Sequence, residues 1–145
     1  MTTSAATAVT VMAFSLAAFE AVDSAVLTLQ NARDDDVLAF NGEPVTIELY
    51  GPGSEQYAKA QAKIDAGQQA RTFAALRGKA PKDAADEARR LQIEKYVACT
   101  KTLTNFPIEG GAKALYENRK LGYITAQVHK FMEDWANFPP SSSAS

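Results

Sequence analysis

The chain has 145 residues, 46% of them apolar and 22% charged, with a formal net charge of −2. That length is one domain's worth, with enough apolar material for a core. The charge balance argues against an electrostatic grip on nucleic acid, which needs clustered Lys and Arg, and a single cysteine, Cys99, permits no intramolecular disulfide and fits a reducing cytoplasm.

Residues 1–11 are rich in Thr, Ser and Ala and are expected to be a poorly ordered tail, with Met12 a candidate authentic start. Residues 8–19 are mostly apolar, but Glu20 and Asp23 interrupt the run before it reaches the roughly 20 residues of a membrane span. No Lys or Arg precedes Arg33, so the positive n-region of a secretory signal is missing. Residues 1–23 therefore read as a flexible or short-helical segment. Weak helical spacing runs over 13–22.

Residues 25–29 are β-like. Asn31 to Asp36 is a polar loop with three consecutive acids, Asp34, Asp35 and Asp36. Calcium loops alternate their oxygen ligands and use a turn-forming Gly; neither feature is present, so a solvated loop is expected and no metal site. Asn41-Gly42 is the favoured pair for a two-residue type I′ hairpin, joining 37–40 to 43–50. Val45, Ile47 and Leu49 should point to one face, and Thr46, Glu48 and Tyr50 to the other. Pro44 cannot donate a ladder hydrogen bond, so its strand should begin at an edge. With 25–29 this predicts a small three-stranded sheet, covered by helices on one face.

Gly51-Pro52-Gly53 ends the sheet, and Ser54 is a natural N-cap for a thinly apolar surface helix over 54–77, stopped by Gly78 and Pro81. Asp83 is expected to cap a second helix running to about Thr104, with an apolar stripe at Tyr96, Cys99, Leu103 and Phe106. Asn105-Phe106-Pro107 should end it. Gly110-Gly111 opens a short helix over 112–118. The last helix, 121–137, carries Leu121, Ile124, Val128, Phe131, Trp135 and Phe138 at helical spacing, and Pro139-Pro140 stops it. Residues 24–138 thus form a single α+β, mainly α domain: a small N-terminal antiparallel sheet, then a bundle of three to four helices. Residues 139–145 are a Ser-rich disordered tail.

No residue pattern carries reaction chemistry, so no catalytic residue, cofactor or metal is expected. His129 is the only histidine; Glu133, one turn on, is a candidate partner, and a solvated role outweighs catalysis. Cys99 reads as a small buried residue in mid-helix. Gly51-Pro52-Gly53-Ser54 lacks the Walker and GxGxxG patterns and reads as a plain turn. Trp135 and Phe138 read either as core or as exposed anchors for a partner protein.

Three stretches in order, FNGEPVTIELYGPGSEQYAKAQAKI, KYVACTKTLTNF and ALYENRKLGYITAQVHKFMEDWANF, together resemble a tail assembly chaperone of long-tailed bacteriophages. The similarity covers most of residues 24–138 and includes no catalytic signature. The resemblance implies a non-enzymatic protein of the host cytoplasm. Such a protein binds the tape measure protein, a long and largely helical chain, and keeps it soluble until the tail tube protein polymerises around it. The tail tube protein is then a second partner, and self-association stays open. It also implies absence from the finished virion, and many genes of this class carry a ribosomal slippage site near their end. Phe138-Pro139-Pro140 is a place where a cytidine run can encode one. The alternative is a structural tail or head–tail joining component of the phage particle.

Overall fold

The computed structural model of the chain describes residues 14–34, 36–79 and 82–141. The expected tail at 1–11, Met12, Asp35, Pro81 and Ser142 to Ser145 lie outside the described residues. The fold is α+β and mainly α. Strands Ser24–Thr28 (β1), Ala39–Phe40 (β2), Glu43–Pro44 (β3) and Thr46–Tyr50 (β4) precede helices Glu55–Leu76 (α1) and Ala84–Cys99 (α2). Strand Thr100–Thr104 (β5) and helices Gly111–Glu117 (α3) and Gly122–Met132 (α4) follow. Over 13–22 only a 3₁₀ turn forms among the described residues, Leu16–Ala18.

Asn41 and Gly42 both take positive φ, +54° and +77°, as the type I′ turn requires, and pair β2 with β3. This hairpin stands apart as its own two-stranded ribbon. It is fastened by three backbone bonds in a ring: Leu29 N–H to Val45 O, Leu38 N–H to Leu29 O and Val45 N–H to Leu38 O, at 3.0, 2.8 and 2.8 Å. The three-stranded sheet has the order β1-β4-β5, all antiparallel. Its third strand is therefore not the hairpin arm expected but residues expected to be helical.

That is the main correction. The second helix stops at Cys99, and Thr100 begins β5 without an intervening loop. Thr100, Thr102 and Thr104 are β-branched and alternate with Lys101 and Leu103, which suits a strand. Leu103 opposite Ile47 continues the apolar face of β4. The four-residue step from Cys99 to Leu103 imitates a helical stripe. Thr100 Oγ1 donates to the Tyr96 carbonyl at 2.7 Å and closes the helix end. Asn105, at φ +63°, then donates from Nδ2 to the carbonyls of Phe40 and Glu43 at 2.8 and 2.9 Å, clamping the hairpin to β5.

Ser54 caps α1 as expected, accepting from Tyr57 N–H, whereas Asp83 precedes α2 without a side-chain cap bond. Val45, Ile47 and Leu49 are buried together with Ile93, Tyr96 and Cys99 of α2, Leu115 and Tyr116 of α3, and Ile124, Val128 and Met132 of α4. Gly67 allows α1 and α2 to approach: a Cβ there would lie 2.7 Å from Leu91 Cδ1.

The last helix is also shorter than expected. It ends at Met132, and Asp134 Oδ1 accepts from Ala136 N–H to start a 3₁₀ turn over Trp135–Asn137. The break separates the two terminal aromatics. Trp135 is 58% exposed, while Phe138 is 1% exposed and lies against Gly51, where a Cβ would meet its ring at 2.6 Å. Phe138→Ala is expected to cost about 3–5 kcal/mol and Trp135→Ala less than about 1 kcal/mol. Urea unfolding followed by circular dichroism measures both; equal costs would contradict the placement.

Candidate functional site

A groove of about 540 Å³ runs between α1 and α2. Ala60, Leu91, Val97 and Ala98 supply its apolar lining, and the exposed Lys59, Lys63 and Lys113 share it. The opening follows from the composition of α1, which buries only Ala60 and presents small or polar residues elsewhere along most of its length. Two helices that meet through Ala and Gly leave shallow space beside the contact.

A polar knot fixes one end of the groove. The Lys95 ammonium is 3% exposed and donates to Gln61 Oε1 and Glu133 Oε2, both at 2.8 Å. It lies 4.2 Å from the centre of the Tyr57 ring, a cation–π distance. The Tyr57 hydroxyl donates to the other Glu133 oxygen. A buried ammonium is costly unless paired and hydrogen-bonded. Here α1 supplies Tyr57 and Gln61, four residues apart on one face, α2 supplies Lys95, and Glu133 follows α4 directly. Partial burial raises the Glu133 carboxyl, but hydrogen bonds from Lys95 and Tyr57 and the Lys95 charge outweigh it, so it titrates below its ordinary value. Burial, then the Glu133 bond, pushes the Tyr57 phenol strongly upward.

A second cavity, about 550 Å³, is lined by Tyr96, Tyr116, Thr125 and His129, with Arg89 and Arg119. His129 Nδ1 is 3.0 Å from the Tyr96 hydroxyl. Glu133, the candidate partner of His129, is bonded by Lys95 and Tyr57 instead. The Tyr116 hydroxyl meets Thr100 Oγ1 at 2.6 Å, and burial pushes its phenol up to about 12. Cys99 is fully buried at the end of α2 rather than in its middle, and burial raises its thiol to about 11. A thiol so placed is protonated and shielded at neutral pH.

The acidic loop closes on itself. Asn31 Oδ1 accepts from the backbone N–H groups of Arg33 and Asp34, and Asp34 Oδ1 accepts from that of Asp36. Among the described residues no cluster of three His, Cys, Asp or Glu could hold a metal ion, and no helix is long and apolar enough to cross a membrane. Of the two residues read either as core or as partner anchors, Trp135 presents its ring at the surface beside Gly53, and Phe138 is packed against Phe131 in the interior. The Lys95 knot was invisible in periodicity; its only trace is a lysine adjoining the Tyr96–Cys99 stripe. No protein-family model, curated protein or solved structure matches the chain.

The Glu133 carboxyl binds its proton less readily in the folded chain than in the unfolded one. Its stabilising effect is therefore full above the unfolded-state value and fades as pH falls through the lower folded value. Glu133→Gln is expected to lose about 1–2 kcal/mol at neutral pH, since Lys95 loses its charged partner while water still reaches this side chain. The gap to the parent protein should narrow in urea unfolding series as pH falls below the ordinary glutamate value of about 4.3; a gap independent of pH would refute the pairing.

Cys99 should react with Ellman's reagent only through opening of the fold, more than about 100-fold slower than in denaturant. Rapid labelling of the native chain would contradict its burial.

Proposed function

We propose that this chain is a tail assembly chaperone of a long-tailed bacteriophage. It acts in the host cytoplasm, without catalysis, by binding the tape measure protein and keeping it soluble while the tail tube protein assembles. The observation that carries this function is the apolar groove between α1 and α2. An unassembled helical client exposes apolar stripes, and a helix laid in a groove hides such a stripe from water. The groove is edged by lysines, and the chain's outer surface is well charged, so the chaperone itself stays soluble while offering that surface.

Further support comes from the tip of the α1–α2 hairpin, where Phe73 and Leu76 are exposed. Trp135 adds a third exposed apolar side chain beside the β4–α1 turn. The order of the three sequence stretches that resemble the phage chaperones gives the client its identity.

Co-expression with the tape measure protein of the same phage tests the function. The soluble fraction of the client should rise and the two chains should co-purify, and mass spectrometry of purified virions should find this chain absent. Failure of rescue together with abundant protein in mature particles would make it a structural tail or head–tail joining component instead.

A further inference from the structure

We propose that the α1–α2 groove selects an acidic amphipathic helix: a client segment whose apolar stripe is flanked by Asp and Glu. This selectivity presupposes the chaperone function and specifies the chemistry of the segment bound.

The groove's charge runs against that of the whole chain. The chain is −2 overall, yet the groove lining carries Lys59, Lys63, Lys95 and Lys113 against one carboxylate, Glu94. Glu94 is held by Arg90, so it does not offset the lysines freely. Lys95 is engaged by Glu133, and Lys59 is shared with Glu55. Lys63 and Lys113 make no ion pair among the described residues. They come from different helices, α1 and α3, and flank apolar lining from Ala60, Leu91 and Val97.

An apolar stripe on such a lining has to bring its own flanking groups near two uncompensated ammonium ions. Carboxylates there gain; lysines or arginines are repelled. The same rule disfavours a second copy of this chain docking groove to groove, since that would bring the two sets of lysines together. Single-stranded nucleic acid is a poorer fit, because the lining offers no aromatic ring for base stacking.

The test uses the full chain and two fluorescein-labelled peptides of about 20 residues, long enough to form a helix on binding. Both carry the same Leu/Ala stripe; one has Glu flanks and the other Lys flanks. By fluorescence anisotropy the Glu peptide should bind at least about tenfold more tightly than the Lys peptide, and the Lys63→Glu/Lys113→Glu variant should erase that preference. Both lysines are exposed, so the variant should keep the parent's circular dichroism and melting temperature.

Equal binding of the two peptides would overturn the inference, as would an unchanged preference in the variant. Displacement of the Glu peptide by a single-stranded oligonucleotide, or dimerisation abolished by the variant in sedimentation, would assign the groove to another occupant. A variant that still solubilises the tape measure protein as well as the parent does would refute the acidic selectivity while leaving the chaperone function standing. A parent chain that never solubilises that client would refute the chaperone function, and the peptide preference would still decide the chemistry of the groove.

Discussion

Three alternate side chains of one strand, Val45, Ile47 and Leu49, have essentially no contact with water. Keeping them dry organises the molecule. Each such side chain contributes roughly 1.5–3 kcal/mol when fully buried, and a sheet this small cannot bury its own face. Ile124, Val128 and Met132 of α4 and Ile93, Tyr96 and Cys99 of α2 join them in one cluster. β5 enters the sheet directly from α2, so the helix that helps cover the sheet is also anchored to its edge. Phe138 closes the far end against Gly51.

The first helix stands outside this arrangement. It is long, rich in alanine and buries only Ala60, so burial alone holds it weakly. The Lys95–Glu133–Tyr57–Gln61 knot joins it to α2 and to the end of α4 by directional bonds. A polar tie of this kind fixes position without filling the space between helices. A groove with an apolar lining and a lysine margin therefore persists beside α1, and a well-packed interface of large side chains would have erased it. The polar tie and the open groove have one cause: a helix attached by few apolar contacts.

Much of this architecture could be read from residues alone where the signal was local. Asn41-Gly42 specified its turn, Val45, Ile47 and Leu49 their common face, and Ser54 its cap, because each depends on neighbours in the chain. Thr100 to Thr104 misled because Cys99, Leu103 and Phe106 happen to keep helical spacing while the threonines favour a strand; pairing with β4 decided between them. A continuous stripe would place Trp135 and Phe138 on one buried face; Asp134 starts a new turn that leaves Phe138 buried and turns Trp135 out to the surface. The knot was illegible: Tyr57, Lys95 and Glu133 lie 38 and 76 positions apart along the chain, and no periodicity links them. The groove was illegible for the same reason, since it belongs to no single helix.

Hydrogen–deuterium exchange of the chain, alone and bound to the tape measure protein, tests the account most directly. Binding in the groove predicts slowed exchange concentrated in residues 56–63 and 91–98, with β1 and the acidic loop unchanged. Protection confined to the β1 edge or to the N-terminal segment, with α1 and α2 unaffected, would contradict it.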